Sequence, residues 1–395
     1  MNFNIDAINS ILTRKHGDVS SVKVLEWHVD DITEVACINC TTRVSRLIIH
    51  YRILGENNSA PIQEICFVKM PTEGFLYESA ISMDLYNKEI VMYTTVLPQM
   101  YSIEKKYMTP RLCYFNDKMT LALKDLSQSG YKCADRIQKL DIEHCIYALQ
   151  CLAKFHALSV KLEKTTSLPD SVKFNPYCNT GADKTLNSLL AKQIPIFIDS
   201  LPRNLKEMYP NFISHLNTLS AEKIINALND SSSSKFNVLI HGDFSINNIM
   251  FKYDKYGLVR KAKLIDFQFT RWSSPASDLL YFFITCMKFE VYLRYFPLLM
   301  NVYFNALNKV LRQLDCPKYD MRSVLKEMDT LYPYALYVLS GILPCIICDP
   351  NIAADSKGFL ENVYKQDHYR EISVKWCEHL AKKGTLRIDE EYHSD

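Results

Sequence analysis

The sequence predicts an α+β protein of two lobes: a small N-terminal lobe built on an antiparallel sheet with one key helix, and a large, mainly helical C-terminal lobe. Three observations support this prediction. The 395 residues, of which 48% are hydrophobic and 23% charged, are enough to bury a sizeable core. The first 125 residues are rich in short β-branched and aromatic runs. Beyond residue 140 the apolar residues recur with the period of a helix. We therefore expect one lobe at residues 1–124 and the other at 125–395.

The predicted N-terminal sheet rests on four runs of β-branched, aromatic or apolar residues, separated by polar turns. These runs occupy residues 22–29, 47–53, 65–69 and 121–123. Before the fourth run, apolar residues over 81–97 recur at i, i+3, i+4 and i+7, which predicts a helix that Pro98 ends. Glu89 shares a face of this helix with Tyr86 and Tyr93, so we expect its carboxylate to point toward the sheet and to need a cation there.

The C-terminal region begins with a clean apolar stripe at helical spacing over residues 142–157. His156 lies on this stripe, and a histidine in such a position is typical of a hydrogen-bonded core residue, so we do not assign it to the site. From Leu279 onward the chain is dense in aromatic residues, including Tyr281 and Tyr334. Ordinary helix core explains them, and the alternative is that some rings line an apolar cleft for a hydrophobic ligand.

The charges of the chain nearly cancel, since 46 Lys and Arg residues oppose 44 Asp and Glu residues. A chain with no strong overall field does not collect nucleic acid or anionic lipid, so we expect neither partner. The first 18 residues lack the continuous apolar region of a secretory signal. The closest approach to a membrane span, residues 334–348, is broken by Ser340, Gly341 and Pro344, and we interpret it as a buried helix.

The 13 cysteines favour a reducing compartment, because an odd number spread over a long chain without a signal peptide suits free thiols. We therefore expect a cytoplasmic protein. Separately, we expect a monomer. Two pairs do have the spacing of zinc ligands, Cys37 with Cys40 and Cys345 with Cys348, and a four-cysteine site would need the pairs to meet. Because the second pair lies inside an apolar run, buried thiols are the favoured interpretation.

The residues that carry chemistry begin with a polar loop between two apolar runs, at residues 238–251. In this loop the carboxylate of Asp243 can accept or orient the proton of an attacking hydroxyl, and the amide of Asn248 can reach a metal bound to phosphates. Asp266 follows another apolar run and offers the hard oxygen ligand that suits Mg²⁺. Each residue alone is typical of a turn, but together they indicate phosphoryl transfer.

A lysine on the predicted sheet completes this set. Lys69 stands at the end of the run 65–69, where its ammonium group can pair with the α- and β-phosphates of a nucleotide if a carboxylate holds it in place. The inward-facing Glu89 is the candidate for that carboxylate. The chain therefore contains a base, two metal ligands and a phosphate clamp in separate segments.

Several motifs of the chain match a known family, and five of them carry the candidate residues. The motifs are Phe67-Val-Lys69, Glu89-Ile-Val-Met-Tyr93, HGDFSINNIMF at 241–251, LIDFQF at 264–269 and SPASD at 274–278. In them the chain resembles the insect ecdysteroid-kinase-like family, a branch of the choline, aminoglycoside and protein-kinase-like superfamily, over nearly its whole length. The Asp-Phe-Gln variant favours this family over protein kinases.

The resemblance implies a protein-kinase-like fold with an ATP-binding N-terminal lobe and a catalytic, substrate-binding C-terminal lobe. It implies a role for each matching residue: Lys69 and Glu89 as the ion pair that clamps phosphates, Asp243 as the catalytic base, Asn248 and Asp266 as Mg²⁺ ligands, Asp278 as the acceptor of backbone hydrogen bonds that braces the catalytic loop, and His241 as a support of that loop. Asp278 could instead cap the helix that follows it.

Two departures from the family pattern concern the nucleotide. The turn expected over residues 36–45, which would cover the phosphates, contains no glycine. Its Thr41, Thr42, Arg43 and Ser45 could still offer hydroxyls or a cation to phosphates, and we retain Thr42 as a candidate. At the segment whose backbone would bind adenine, Lys124-Asp125-Leu126 replaces the usual Glu-Asp-Leu, a change that leaves backbone contacts intact.

The sequence thus predicts an ATP- and Mg²⁺-dependent kinase for an alcohol of a small hydrophobic acceptor, with an ecdysteroid hydroxyl implied by the resemblance alone. One alternative keeps the chemistry but makes the acceptors dietary alcohols, glycosides or phenols in a detoxifying role. Another is a pseudokinase scaffold that binds a ligand without catalysis, which the complete residue set disfavours. A protein kinase is disfavoured because only twelve positions separate Asp266 from Asp278, too few for a long activation segment.

Overall fold

The computed structural model describes residues 3–32, 42–54, 60–71, 75–106, 108–179, 181–232, 234, 236–349 and 358–384. Strands occupy β1 Val22–Asp31, β2 Thr42–Ile53, β3 Ile62–Pro71, β4 Leu112–Phe115, β5 Leu121–Lys124, β6 Tyr131–Cys133, β7 Val238–Ile240, β8 Ile249–Tyr253, β9 Val259–Leu264 and β10 Arg271–Ser273. Helices occupy α1 Ile5–His16, α2 Phe75–Ser82, α3 Leu85–Val91, α4 Leu97–Ile103, α5 Ile142–Thr165, α6 Asp170–Lys173, α7 Ala182–Ser200, α8 Arg203–Met208, α9 Pro210–Asn217, α10 Ala221–Ser232, α11 Ala276–Cys286, α12 Phe289–Gln313, α13 Met321–Thr330, α14 Tyr332–Tyr337, α15 Leu343–Ile347, α16 Phe359–Tyr364 and α17 Asp367–Lys383.

The N-terminal region is a five-stranded antiparallel sheet in the order β1-β2-β3-β5-β4. All four predicted runs lie on its strands, and the register places Lys69 of β3 between Val44 of β2 and Leu121 of β5. Buried residues of α1, among them Ile8 and Leu12, pack with the sheet into a separate small core. The α+β class predicted from the sequence is confirmed, whereas the boundary at residues 124 and 125 stays a prediction.

The prediction that Pro98 ends the helix before it was wrong. A wide, π-type turn at Met92–Val96 joins α3 to α4, so the helical run continues to Ile103. Within this turn the Leu97 N–H bonds to the carbonyl of Met92, five residues back. We attribute the tolerance of Pro98 to this widening, because a proline ring clashes with the carbonyl four residues back in a regular α-helix.

Two small sheets bring the chemical loops together. Strand β7 ends at Ile240 and pairs with β10 in an antiparallel ribbon that sets Ile240 opposite Arg271. Strands β6, β8 and β9 form a second sheet, in which Ile249 pairs with Leu264. The loop at 241–248 joins β7 to β8. The residues after Leu264 leave β9 beside the start of β8, because Leu264 pairs with Ile249. Both segments therefore lie at the same end of these sheets.

The rest of the chain is mainly helical, and its large core includes Leu121 and Leu123 of β5 from the first sheet. Helix α5, predicted from its apolar stripe, packs against α12 and against β7 and β9. The predicted helix at 334–348 is present as α14, a π-type turn at Val338–Ile342, and α15, and most of its side chains are buried. Among the described residues no single helix is long and apolar enough to cross a membrane; α13 and the helical run Tyr332–Ile347 pass that test only as a pair bent by 64°.

Candidate active site

The loop between β7 and β8 presents the predicted base and amide side by side. A short 3₁₀ turn at Ile246–Asn248 curls the chain back, so the side-chain Nδ2 of Asn248 donates to the backbone oxygen of Asp243 at 2.9 Å and to its Oδ2 at 2.8 Å. These bonds leave Oδ1 as the amide atom of Asn248 that can bind a cation, because an amide nitrogen is only a donor. The loop thus fixes the Asp243 carboxylate and the orientation of the amide together.

Asp266 enters the same site from the end of β9. The backbone N–H of Ile265 bonds to the carbonyl of Asn248 at 3.1 Å, which links the two segments directly. Asp266 itself has a φ of +67°, a left-handed conformation that non-glycine residues rarely adopt. Such backbone strain is concentrated at functional sites, where the surrounding structure holds it in place.

The buried Lys69 joins the sheet to this site. Its Nζ contacts Oε1 and Oε2 of Glu89 on α3 at 2.9 and 2.7 Å, and Oδ2 of Asp266 at 3.1 Å. Burial opposes the charge of Lys69, but the carboxylates of Asp266 and Glu89 outweigh it and raise the pKa of the lysine. Lys69 is therefore a permanent cation placed between two acidic side chains.

The carboxylate of Glu89 has a third contact that the sequence did not reveal. The amide Nε2 of the buried Gln268 lies 3.3 Å from Glu89 Oε2, so the glutamine of the Asp-Phe-Gln motif supports the ion pair directly. Asp266 and Gln268 are two residues apart and reach the same lysine and glutamate pair from one segment. The prediction that Glu89 faces the sheet and meets a cation agrees with this geometry.

The neighbour of Glu89 points the other way. Lys88 is fully buried, and its Nζ donates to the backbone carbonyls of Ser171, Phe174 and Thr270 at 2.5, 2.8 and 3.1 Å. Only the charged ammonium form can donate three hydrogen bonds at once. Helix α3 is therefore anchored to the sheet through Glu89 and to the helical region through Lys88.

Asp278, at the start of α11, holds the backbone of the loop between β7 and β8. Its Oδ2 accepts from the N–H of His241 at 2.7 Å, and its Oδ1 accepts from the N–H of Gly242 at 2.9 Å. The buried His156 adds a third contact, with Nε2 at 3.1 Å from Oδ2, while its Nδ1 lies 2.7 Å from the hydroxyl of Tyr303. Burial would raise the pKa of Asp278, but these hydrogen bonds and the neighbouring histidines hold it below its ordinary value.

His156 is the hydrogen-bonded core histidine expected from the sequence, and it has a further role that the sequence did not reveal. It is a core residue, fully buried, but it also supports the aspartate that positions the loop. His241 lies within the loop and contacts the carbonyl of Ile265 through Nε2 at 3.0 Å, with its ring 4.9 Å from that of Phe267. These contacts are those of a scaffold residue, as the resemblance implied.

A tyrosine completes the surroundings of Asp243. The hydroxyl of Tyr281, on α11, donates to Asp243 Oδ1 at 2.6 Å. Burial raises the pKa of Asp243, the hydrogen bond from Tyr281 opposes that rise, and the charge of Asp266 adds to it. Sequence reasoning grouped Tyr281 with the core aromatics, since a tyrosine in an apolar helix carries no signal of a polar partner.

The candidate nucleotide contacts lie in two segments, the predicted glycine-free turn and the segment that follows β5. Most of the predicted glycine-free turn, including Thr41, lies outside the described residues. Strand β2 begins at Thr42, which pairs with Pro71. The strand, and not a turn, therefore contains Thr42, Arg43 and Ser45. Of these, Thr42 is buried and lines a small pocket together with Lys69 and Glu89. Arg43 is turned toward Asp31, with its Nε 2.9 Å from Oδ2.

The segment expected to bind adenine follows β5 directly. The backbone N–H of Lys124 bonds to the carbonyl of Arg111 at 2.9 Å, and that of Asp125 bonds to the carbonyl of Ile65 at 3.2 Å. Both donors are therefore used by the sheet. Leu126 begins a 3₁₀ turn, and the first N–H of such a turn has no partner within it. Of the three predicted residues, Leu126 is the one whose backbone donor suits a nucleotide base.

The side chains of that segment serve the protein itself. Asp125 accepts from Arg46 Nε at 2.8 Å and from the N–H of Ser127 at 2.8 Å, and Lys124 Nζ lies 3.5 Å from Glu64 Oε1. The structure therefore assigns the side chains of Lys124 and Asp125 to ion pairs on the sheet. The role in adenine binding that was predicted for the backbone of this segment stays a prediction.

The assembled oxygen donors fit Mg²⁺. Mg²⁺ in kinase sites takes one or two protein oxygens and completes its shell with phosphate oxygens and water. Asp266 and Asn248 Oδ1 supply this number from adjoining segments. In the part of the chain that the structure describes, no group of three or more His, Cys, Asp or Glu side chains could hold a metal ion by itself. Cys37 and Cys40 of the zinc alternative lie outside that part.

Known proteins that resemble the chain comprise one protein family and several solved structures. A model of the ecdysteroid kinase-like family matches residues 37–316. No curated protein matches the chain. Similar solved structures include a choline/ethanolamine kinase family protein from Mesorhizobium loti, with 12% identity, a TM-score of 0.37 and coverage of 94% of this chain and 99% of that chain. Another is the streptomycin–ATP ternary complex of APH(2")-IIa, with 15% identity, a TM-score of 0.37 and coverage of 95% and 99%.

Proposed function

The chain belongs to the ecdysteroid kinase-like family, and on this premise we propose that it transfers the γ-phosphate of ATP to an alcohol of a small hydrophobic acceptor, with an ecdysteroid hydroxyl as the favoured acceptor. Family membership makes it a small-molecule kinase that acts on hydroxyl groups; ATP with Mg²⁺ and the ecdysteroid are the proposal. The observation that supports it most directly is the contact of Lys69 with both Glu89 and Asp266, next to the paired Asp243 and Asn248.

In the proposed reaction Asp243 orients the acceptor hydroxyl and takes its proton. The hydroxyl oxygen forms a bond to the γ-phosphorus, the proton passes to the Asp243 carboxylate, and the bond between the γ-phosphorus and the bridging oxygen of ADP breaks. Burial raises the pKa of Asp243, which makes the carboxylate a better base than an exposed aspartate. Tyr281 and Asn248 each hold one carboxylate oxygen, so the base is fixed before the acceptor arrives.

The negative charge of the phosphates would be neutralised by a metal ion and by Lys69, which lie on the other side of Asp243 from the acceptor. Mg²⁺, when bound by Asp266 and Asn248, would neutralise charge on the phosphate oxygens. Lys69 already contacts Asp266 and is held by Glu89, so its ammonium group can pair with phosphates without moving far. The backbone around Leu126 is proposed to contact adenine, and Thr42 lies beside Lys69 as a candidate phosphate contact.

The two alternatives differ from this proposal in different ways. A detoxifying kinase for dietary alcohols, glycosides or phenols would use the same five residues, so only the acceptor separates it from an ecdysteroid kinase. A pseudokinase would need the clamp or the base to be incomplete, and the described residues contain both. The intact set of Lys69, Glu89, Asp243, Asn248 and Asp266 therefore favours catalysis over a scaffold.

The experiment is incubation of the purified full chain with ATP, Mg²⁺ and a panel of ecdysteroids, glycosides, phenols and other alcohols, with mass spectrometry for one added phosphate. We expect phosphorylation of an ecdysteroid that disappears when EDTA removes Mg²⁺. Transfer only to the other alcohols would replace the acceptor and keep the chemistry. Failure to phosphorylate any alcohol, together with no thermal shift on addition of ATP and Mg²⁺, would contradict the proposal as a whole.

A further inference from the structure

A buried arginine near the candidate base has no acidic partner among the residues that the structure describes. Arg271, on β10, is only 1% exposed. None of its three guanidinium nitrogens, Nε, Nη1 and Nη2, has a hydrogen-bond partner of ordinary geometry in the described structure, and the polar group beside it is the uncharged hydroxyl of Tyr334. Among the described residues no acidic side chain lies within ion-pairing distance of it. This differs from the buried Lys88 and Lys69, whose nitrogens are fully engaged by carbonyls or carboxylates.

This arrangement is costly unless a ligand supplies the missing acceptor. An arginine stays protonated under all conditions in which a protein is folded, so it cannot escape burial by losing its charge. Buried charges in proteins are therefore paired or hydrogen-bonded as a rule. A guanidinium that presents three unused nitrogens matches the two oxygens of a carboxylate, or the oxygens of a sulfate, in a bidentate geometry.

The surroundings of Arg271 lead to Asp243. The guanidinium carbon lies 6.0 Å from the ring centres of both Tyr177 and Tyr334. The ring of Tyr334 is 6.5 Å from that of Tyr281, whose hydroxyl bonds to Asp243. A row of tyrosines therefore connects the arginine to the base. This row lies on the helical side of the base, whereas Lys69 and the metal ligands serve the phosphate side.

A second buried polar atom lies near Tyr337, which is itself a neighbour of Tyr177 and Tyr334. The side-chain Oε1 of Gln193, on α7, is buried and has no hydrogen-bond partner among the described residues. A Cβ atom built on Gly341 would come within 3.0 Å of both this oxygen and the ring of Tyr337, so the three residues meet closely. The region thus offers an unused hydrogen-bond acceptor in addition to the unused donors of Arg271.

From these contacts we propose that Arg271 binds an oxyanion on the acceptor, a carboxylate or a sulfate, while the tyrosines hold the apolar body of the same molecule. The preferred acceptor is then an acidic derivative of a hydroxylated steroid, which carries the anion in addition to the reacting hydroxyl, rather than the neutral steroid. The inference rests on the proposed function, because it deepens the identity of the molecule that Asp243 deprotonates. Under this proposal Tyr281 and Tyr334, which were interpreted from the sequence as helix core, contribute to acceptor binding.

The test measures binding and turnover separately, with two pairs of hydroxylated steroids that differ mainly in the anion. Cholate is compared with its methyl ester, and estradiol 3-sulfate with estradiol, by titration calorimetry in the presence of a non-hydrolysable ATP analogue and Mg²⁺. The full chain is expected to bind the acidic member of at least one pair tenfold or more tightly than the neutral member. The pair that shows the preference distinguishes a carboxylate from a sulfate.

Three variants assign that preference to the arginine. Arg271→Met is expected to abolish it and to raise the melting temperature of the ligand-free protein, because an unpaired charge is removed from the core. Arg271→Lys should retain part of the preference. Arg260→Met, which removes an exposed arginine that pairs with Asp254, is the matched control and should leave the preference unchanged.

The outcomes separate this inference from the proposed function. Equal or absent binding of acid and neutral steroid in both pairs, or a preference that survives Arg271→Met, overturns it. A uniform drop of kcat for every acceptor in Arg271→Met, with KM unchanged, also overturns it, because the arginine would then serve the transferred phosphoryl group. An acid preference without any phosphate transfer would support the inference while the proposed catalysis fails.

Discussion

The hydroxyl of Tyr281 is expected to set the pH at which Asp243 becomes active as a base, and Tyr281→Phe removes it. That hydroxyl donates to Asp243 Oδ1 at 2.6 Å. Burial raises the pKa of Asp243, and the hydrogen bond from Tyr281 opposes the rise. In the variant the ionised carboxylate loses this donor, so the pKa of Asp243 should rise further. The acidic limb of the pH–rate profile should move to higher pH.

The size of the effect follows from the strength of such a bond. A hydrogen bond to a charged group contributes about 1.5–3 kcal/mol, and about 1.4 kcal/mol changes an equilibrium tenfold. Below the acidic limb the rate is proportional to the ionised fraction of Asp243. Tyr281→Phe should therefore be slower by about ten- to hundredfold there. Above the limb, where Asp243 is ionised in both proteins, the rates should converge.

The assay is kcat/KM for the phosphorylated acceptor across the pH range, with ATP and Mg²⁺ saturating. Tyr292→Phe is the matched control, since it removes a buried hydroxyl on α12 that contacts His379 at 3.1 Å. Its profile should coincide with that of the unaltered protein. A Tyr281→Phe profile that superimposes on the unaltered one, or that drops equally at every pH, would refute the assignment of this hydrogen bond.

Three further predictions concern the base, the loop and the core. Asp243→Asn should lower kcat by about 10²–10⁴-fold and keep the thermal shift with ATP and Mg²⁺; normal turnover would exclude Asp243 as the base. Gly242→Ala should destabilise the fold by about 2–5 kcal/mol, measured by urea unfolding, because φ is +81° and a Cβ would lie 1.9 Å from the backbone oxygen of Phe269; an unchanged midpoint would show that the loop can relax. Burial lowers the pKa of His156, and it lowers the pKa of His379 to about 4. Both histidines are therefore held neutral in the folded protein. The stability that depends on these neutral rings is complete above the unfolded pKa of about 6.5 and is lost as the pH falls below it. The free energy of unfolding, measured with urea, should drop between pH 7 and 5, by at most about 1.4 kcal/mol per pH unit for each histidine, and His156→Gln should reduce the slope; a slope that does not change in this variant would exclude His156 as a source of the pH dependence.

Much of the site could be predicted because its residues are polar side chains at the ends of apolar runs. Lys69 and Asp266 each follow a β-branched or apolar run, and the structure brings them to 3.1 Å. The inward orientation of Glu89 followed from its helical face. These predictions succeed because the periodicity of burial fixes which side of a strand or helix a residue occupies.

The sequence could not reveal the partners that come from distant core segments. Tyr281 reads as one more aromatic residue of a helix, and its bond to Asp243 exists only because α11 folds back beside the loop. Arg271 reads as an ordinary exposed cation, since arginines are rarely buried. The continuation of the helix through Pro98 depends on a widened turn that no local pattern signals. The first two depend on tertiary contacts, and the third depends on a local widening of the helix.

The opposite anchoring of Lys88 and Glu89 has a consequence for control of the enzyme. Many kinases are switched off by swinging the helix that carries the glutamate, which breaks its pair with the lysine. In this protein such a swing would strip the ammonium group of Lys88 from three carbonyl acceptors in a buried setting. We therefore expect the pair of Lys69 and Glu89 to be formed at all times. The rate of the enzyme should then depend on the concentrations of its two substrates rather than on an activating event.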